Sequence, residues 1–239
     1  MTNKLKNDDE LQWSAIVANN SMNRKRKATG VNSYEKDLKL DPIIFLSEKL
    51  LESNLEKVKW LDICCGEGNA LIQTAQFFQF NNQASKVELM GVDLVNYFSD
   101  YNDSLNNFLT LKDENISTWN SATKFDLITV VHGFHYIGDK IGTIEKLMKN
   151  LKPNGLLIGN LALNNIIINN VNNSSTEIKR YFKKNNIIYN SRTKILKIEG
   201  ARMIENRYEY LGANDQAGPN YTGQAVVNSM YKKKKQDES

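Results

Sequence analysis

The residues best placed to do chemistry form one short run, Asp62-Ile63-Cys64-Cys65-Gly66-Glu67-Gly68, followed at a distance by a second carboxylate, Asp93. A Gly-x-Gly turn lets the backbone turn tightly and lets a ligand approach the main chain. A carboxylate at the end of the next strand can accept both hydroxyls of a ribose. Together they describe a nucleotide-type site. A dinucleotide site wants a third glycine, so that a helix N-terminus meets the pyrophosphate. Here that position is Leu71, and Asp62 and Glu67 would crowd a diphosphate. A cationic ligand tolerates both. The second cluster is His132 and His135, the chain's two histidines, within six residues of each other. A neutral imidazole titrates near working pH and can serve as a general base.

These groups need elements to hold them. Residues 58–63 are a short apolar run that reads as a buried strand entering the glycine turn, and 69–80 has helical spacing after it. Residues 87–93 read as a second strand, 96–108 as a helix, 108–111 as a weak strand and 125–131 as a strong one. A helix over 140–150 stops at Lys152-Pro153-Asn154-Gly155 and a strand follows over 156–161. Alternation of this kind makes a parallel sheet covered on both faces. Upstream, residues 1–8 read as frayed, 9–20 as a short helix, and Asp41-Pro42 as the start of a helix running to about 55. Downstream of 164 the chain is a low-complexity Asn/Ile connection. Then come a helix over 174–184 and two strands, 187–198 and 202–211, joined antiparallel near Gly200.

Composition narrows the class. With 239 residues, 41% of them hydrophobic and 24% charged, the chain can bury a substantial core and is neither disordered nor an integral membrane protein. No apolar run approaches the ~18 residues of a membrane span. The N-terminus has no apolar signal core, and the adjacent Cys64 and Cys65 do not suit a structural disulfide. The expectation is a soluble cytoplasmic protein, monomer or homodimer, with no metal. Either of two four-residue basic runs, residues 24–27 and 232–235, alone accounts for the net charge of +4, and both read as solvated segments rather than a nucleic-acid face.

The motifs resemble those of the class I S-adenosylmethionine-dependent methyltransferase superfamily. Its first motif is an acidic residue at a strand end followed by Gly-x-Gly, and here Cys64 stands where the family usually has its first glycine. Gly91-Val92-Asp93-Leu94 looks like the second motif. Phe125-Asp126-Leu127-Ile128, followed by residues 131–136, looks like the fourth, and 147–157 like the helix, turn and strand after it. The likeness covers residues 57–165. It implies a Rossmann-like seven-stranded, mostly parallel sheet with helices on both faces, an antiparallel last strand and a helical N-terminal cap. The implied division is a cap over 1–55, a methyltransferase core over 56–212 and a C-terminal segment over 213–239, part pocket wall and part basic tail.

The resemblance also implies roles. Asp62, Cys64, Gly66 and Gly68 would line the methionine part of S-adenosylmethionine. Asp93 would hold the ribose, Leu94 would pack on the adenine, and Asn115 would meet its amino group. His132 would sit beside the methyl group, with His132 and His135 as candidate bases. In the N-terminal extension, Arg24 is a candidate partner for the cofactor carboxylate and Tyr34 for the methyl cavity. Tyr136, Asn220 and Tyr221 are candidates for the acceptor side. The expected reaction is methylation of N or O in a small molecule or peptide. A nucleic-acid methyltransferase, a silent S-adenosylmethionine-binding module and an NAD-dependent oxidoreductase stay open as alternatives. Absence of an Asn/Asp-Pro-Pro-Tyr run after the fourth strand weakens an adenine- or glutamine-methylating reading.

Overall fold

The computed structural model describes residues 4–18, 25–52, 57–221 and 223–234. In chain order the elements are α1 (Asp8–Leu11), α2 (Ala15–Ala18), α3 (Tyr34–Leu38), α4 (Pro42–Glu52), β1 (Val58–Ile63), α5 (Asn69–Phe80), β2 (Val87–Asp93), β3 (Leu109–Asp113), β4 (Phe125–Val130), α6 (Lys140–Lys149), β5 (Leu151–Asn160), β6 (Ile166–Ile168), α7 (Ser174–Lys184), β7 (Ile188–Asn190), β8 (Ile195–Glu199), β9 (Tyr208–Asn214) and β10 (Asn228–Lys233). Seven strands form one sheet in the order β3-β2-β1-β4-β5-β8-β7. The first five are parallel, and β8 runs antiparallel between β5 and β7. This is a Rossmann-like sheet. Its central strands β1 and β4 are buried almost throughout, because helices cover both faces.

Two apolar clusters fill those faces. One packs α6 and α7 on the sheet through Ile141, Ile144, Leu147, Ile178 and Phe182. The other packs α4 and α5 through Leu46, Leu71, Ala75 and Phe78. The order reverses on either side of β1 and β4, so a crevice opens beyond the carboxyl ends of β1, β2 and β4, where such sheets take ligands.

The structure departs from the sequence reading in several places. Residues 96–108 contain only a 3-10 turn at Asp103–Asn107. Tyr97 is exposed, and the Ser99 N–H donates to the Glu67 carbonyl at 2.9 Å, so the segment is tied to the glycine turn rather than coiled on itself. The expected hairpin at Gly200 does not form. Residues 187–198 fold back within themselves as β7 and β8, because Asn190 Oδ1 caps the turn by accepting from the Arg192 and Thr193 N–H groups. The second expected strand, 202–211, begins only at Tyr208 and joins a separate sheet, β6-β10-β9. That sheet takes β6 from the Asn/Ile-rich connection and β10 from the expected tail. The boundary drawn at 212 falls inside β9.

The N-terminus is also tied down. Lys6 forms a β-bridge with Ala213, and both Lys6 Nζ and Ser14 Oγ donate to Asp215 Oδ2 at 2.6 Å. The helix expected over 9–20 is broken into α1 and α2 at Gln12 and Trp13. Among the described residues no helix is long and apolar enough to cross a membrane.

Candidate active site

The glycine turn is built by a run of positive φ angles at Cys64 (56°), Gly66 (62°) and Gly68 (74°). Gly68 is the N-cap of α5, and the turn is held from two sides. Its backbone bonds to β2, where Cys64 N–H donates to the Val92 carbonyl at 2.7 Å. Its Gly66 N–H donates to Asp93 Oδ2 at 2.8 Å. Gly91 lets this happen: a Cβ there would lie 2.6 Å from Leu71 and 2.8 Å from the Cys65 sulfur.

Cys64 occupies the left-handed region, which costs an ordinary side chain about 1–2 kcal/mol. It stays because its side chain packs tightly on Gly133 in the facing loop, where a Cβ would come within 2.6 Å of the Cys64 Cβ. Cys64→Gly is therefore expected to leave stability within about 1 kcal/mol of the parent, strain relief offsetting lost packing and glycine's chain entropy. Cys64→Val should cost about 2 kcal/mol or more, because a branched Cβ fits that φ poorly. Denaturant melts of the two variants check this; equal melts would refute the strain account.

Asp62 does not open onto this turn. It is fully buried at 0% exposure and accepts from the Tyr34 hydroxyl at 2.6 Å and from Thr129 Oγ1 at 2.5 Å. Thr129 in turn accepts from the Trp60 indole at 2.8 Å. Burial pushes the Asp62 carboxyl up to about 7, against the pull of its two hydroxyl donors, and Asp93 adds to the rise. Tyr34 is equally committed: burial and then Asp62 push its phenol well above its ordinary value. The pair ties the N-terminal cap to the floor of the turn.

A stability consequence follows from the sign of that shift. A carboxyl raised on folding contributes stability that is complete below the unfolded value near 4 and is lost as pH rises through about 7. Asp62→Asn is thus expected to shrink the stability difference between pH 5 and pH 8 by about 2 kcal/mol. Chemical denaturation at both pH values tests it; an unchanged difference would exclude a buried, titrating Asp62.

The cleft itself lies beyond β1, β2 and β3. Cys64, Val92, Asp93, Leu94, Glu114, Asn115 and Ile116 form one wall. Tyr136, Ile137 and Gly138 form a second, and Asp8, Leu11, Gln12 and Val17 of the N-terminal segment close the third. Its empty space is ≈ 540 Å³, open solvent at the mouth included. Three carboxylates line it, and no lysine or arginine among the described residues does. Of the sequence-derived candidates, Cys64, Asp93, Leu94, Asn115 and Tyr136 meet here. Asn115 Oδ1 accepts from the Ser117 N–H, which leaves its amide NH₂ as the donor. Arg24 lies outside the described residues.

The sequence reading expected an N-terminal cap over 1–55 but not which of its residues reach the cleft. Leu11 and Val17 were legible as an apolar helix face, but nothing local tells a core face from a ligand wall. Glu114 directly follows β3, and only the sheet order brings it beside Asp93.

His132 and His135 are not on the cleft wall. They lie buried behind it, between Cys64 and the C-terminal segment. His132 also has positive φ (58°). Its Nδ1 lies 3.4 Å from His135 Nε2, and its Nε2 lies 3.4 Å from Asp37 Oδ2, which also pairs with Arg26. Burial, then His132 and Lys140, push the His135 imidazole down to about 3. The half-exposed Tyr221 meets the His135 ring edge-on at 5.7 Å between centroids. Tyr136 donates to Gln224 at 2.9 Å, and the buried Asn220 closes the turn that carries Tyr221, its carbonyl accepting from Gly223. The C-terminal segment therefore does reach the histidines.

Behind it, Lys140 is buried and donates to the Ile137 and Val227 carbonyls and to Ser229, all at 2.8–2.9 Å. Burial pushes its ammonium down to about 7, against the carboxylates of Asp139 and Asp8. The bond from Val227 N–H to the His135 carbonyl at 2.9 Å completes the support. No local pattern marks Asp37 or Lys140 for these positions.

A family model described as a methyltransferase domain matches residues 32–205. No curated protein matches the chain. Among solved structures, the O-methyltransferase from a trans-AT PKS multienzyme of Brevibacillus brevis, in complex with S-adenosyl-L-homocysteine, is 16% identical; 68% of this chain and 47% of that one are covered, with a TM-score of 0.41. The plantazolicin methyltransferase BpumL, in complex with a pentazolic desmethylPZN analog and SAH, is 19% identical over 67% of this chain and 57% of that one, with a TM-score of 0.37. Coclaurine N-methyltransferase, bound to N-methylheliamine and SAH, is 19% identical over 49% and 35%, with a TM-score of 0.36. The chain thus spans 35% to 57% of the length of these three structures.

Proposed function

The chain belongs to the family of class I methyltransferase domains, and from that premise we propose that it transfers a methyl group from S-adenosylmethionine to nitrogen or oxygen of a small molecule or peptide. The observation that carries the reading is the cleft beyond β1–β3, walled by Asp8, Asp93 and Glu114 with no cationic side chain among its described residues. Such a wall repels a diphosphate and suits a ligand that bears a sulfonium and an ammonium. That charge argues against the dinucleotide alternative more directly than the missing third glycine does.

The residues fit the group. Asp93 stands in the cleft wall at the end of β2, and a carboxylate there can accept from the ribose hydroxyls. Leu94 and Ile116 offer apolar faces to an adenine, and the Asn115 amide offers a donor beside it. Cys64 and the glycine turn take the methionine end. Asp62 supports that end through Tyr34 and Thr129, as a positioning residue. When bound, S-adenosylmethionine supplies an electrophilic methyl carbon, whose bond to sulfur breaks with the electron pair staying on sulfur. The chain's own work is to hold that carbon in line with the acceptor and to exclude water, which α1 and α2 favour by covering the cleft.

On the acceptor side we place Tyr136, Tyr221 and Asn220, with His135 and His132 behind them. The nucleic-acid alternative gains no support from the C-terminal basic run, where Lys232 pairs with Glu209 and Lys233 with Glu177.

Calorimetry with S-adenosylmethionine and with NAD⁺ tests the cofactor. Binding of the first and not of the second is expected. Tighter binding of NAD⁺, or a folded protein that binds neither, would overturn the proposal. Release of S-adenosylhomocysteine on incubation with an acceptor panel tests turnover and separates an enzyme from a silent binding module.

A further inference from the structure

We propose that the outer edge of β7, flanked by the basic face of α7, is a docking site for an acidic, extended segment of a partner protein, which adds there as a further strand. β7 (Ile188–Asn190) ends the seven-stranded sheet and pairs only with β8. One side of its backbone therefore has no strand beside it, and such an edge is a template for another chain. Folds usually blunt an edge with charge, proline or cover. The opposite edge follows that rule, since β3 carries Lys112 and Asp113. β7 reads Ile-Tyr-Asn, with neither charge nor proline, and Ile188 is 56% exposed.

Beside that edge lies a groove lined by Lys179, Phe182 and Lys183 of α7 and by Ile187, Ile188 and Tyr189. Its floor is apolar: Phe182 and Ile187 are buried, and the Phe182 and Tyr189 rings meet at 6.2 Å between centroids. Its rim is positive. Lys179 and Lys183 are both exposed and stand four residues apart, hence on one face of the helix. Among the described residues no carboxylate lines the groove. Glu177, the one carboxylate of α7, already holds Lys233 at 2.7 Å. On β8, Lys197 stands opposite Ile188, and it engages Glu199 at 2.7 Å. The two α7 lysines are thus left without a neutralising partner at the groove.

Charge decides the occupant. A second copy paired edge to edge would bring its own Lys179 and Lys183 against these, and like charges oppose that contact. A basic segment is opposed in the same way. An acidic segment is drawn in, and its backbone can use the donors and acceptors that an edge strand leaves facing outward. The spacing suits a strand as well. Lysines four apart rise about 6 Å along a helix, and alternate residues of a strand advance about 6.6 Å. Carboxylates at every second position can therefore meet both lysines. Tyr189 faces α7 through its contact with Phe182, so its chain neighbour Ile188 faces the other way. Apolar residues between the carboxylates would lie beside Ile188. The Asn190 end of the edge is level with the carboxyl end of β5, since Asn190 and Asn160 both pair with Ile195. A segment that runs on past Asn190 reaches the side of the sheet that carries the cleft. The docking itself does not depend on the methyl-transfer reading.

Amide NMR of the intact, ¹⁵N-labelled chain tests this with a defined probe, a capped octapeptide of alternating valine and glutamate, at neutral pH and low salt. The amide signals of residues 186–190 are expected to shift more than any others, with slowed hydrogen exchange in β7. The same peptide with lysine in place of glutamate should bind at least ~10-fold more weakly, and so should the acidic peptide to the double variant Lys179→Glu, Lys183→Glu. Both lysines are exposed, so the variant keeps its core, and a thermal melt checks that it folds. The acidic peptide with every backbone nitrogen methylated keeps its charge but can donate no backbone hydrogen bond, and it should lose binding. No shift at millimolar acidic peptide, or shifts centred elsewhere, would overturn the proposal on the wild-type chain alone. Equal binding by the lysine peptide or by the double variant would remove the charge argument. Equal binding by the methylated peptide would remove strand addition. Tighter binding of an oligouridylate at the same amides would make the surface a nucleic-acid site and overturn the peptide assignment.

Discussion

Asp93→Ala is expected to weaken S-adenosylmethionine binding by ~10- to 100-fold or more. The carboxylate is asked to do two things. It accepts from the Gly66 and Val95 N–H groups at 2.8 and 3.2 Å, which pins the glycine turn against the end of β2. In the proposed complex it also accepts from the ribose hydroxyls, hydrogen bonds to a charged group worth about 1.5–3 kcal/mol each. Losing even one of those is at least tenfold, since ~1.4 kcal/mol is a factor of ten. Asp93→Asn should fall between, because its single carbonyl can serve either the turn or the ribose. Titration calorimetry measures both, and thermal melts show whether the turn has collapsed. A folded Asp93→Ala variant with wild-type affinity would remove S-adenosylmethionine from this cleft.

Truncation after Leu211 is expected to unfold the protein rather than merely silence it. On sequence, residues 212–224 carry too little apolar period to be core, and a chain truncated there, provided that it still folds, should lose methyl transfer but keep measurable cofactor binding. The structure reverses that expectation. Ala213, Val226, Val227 and Tyr231 are all buried, and β10 is the central strand of the small sheet, paired with both β6 and β9. Burial of Val226, Val227 and Tyr231 accounts for about 1.5–3 kcal/mol each. Lys140 would lose the Val227 carbonyl and Ser229, and Lys6 the Ala213 and Asp215 partners. A buried donor that loses acceptors in this way costs about 1–3 kcal/mol. Together these match the whole stability of a typical domain, about 5–15 kcal/mol. Near-UV circular dichroism and a denaturant melt of the truncated chain check this; a cooperative melt near the wild-type midpoint would refute it. The role of the C-terminal segment in catalysis is better tested by Tyr221→Ala, which leaves β10 in place.

The parallel half of the fold was legible because its signals are local. Val58–Ile63, Val87–Asp93 and Phe125–Val130 are apolar runs bounded by turns, and a strand buried on both faces needs nothing else. The turn at Gly66 and Gly68 needs positive φ, so its residue types announce it. The failures are non-local. Asn190 could cap a hairpin only if residues 195–199 had a free edge of β5 to pair with, and no window of sequence contains both. The three-residue strand Ile166–Ile168 exists because β10, some sixty residues later, pairs with it.

The same division runs through the site. By itself the sequence determined the glycine turn, the carboxylate that ends β2, and the chemical types present: two histidines, acidic residues beside the turn, aromatic residues near the C-terminus. Each rests on contacts close along the chain or on a backbone angle few residues tolerate. Tertiary structure alone decided what each group does. It set Asp62 against Tyr34, from 28 residues upstream. It set Asp37 against His132 and closed the cleft with Leu11 and Val17. It also buried Lys140 against a strand 89 residues away at Ser229. A side chain's protonation and exposure depend on everything packed around it, and those neighbours come from distant parts of the chain.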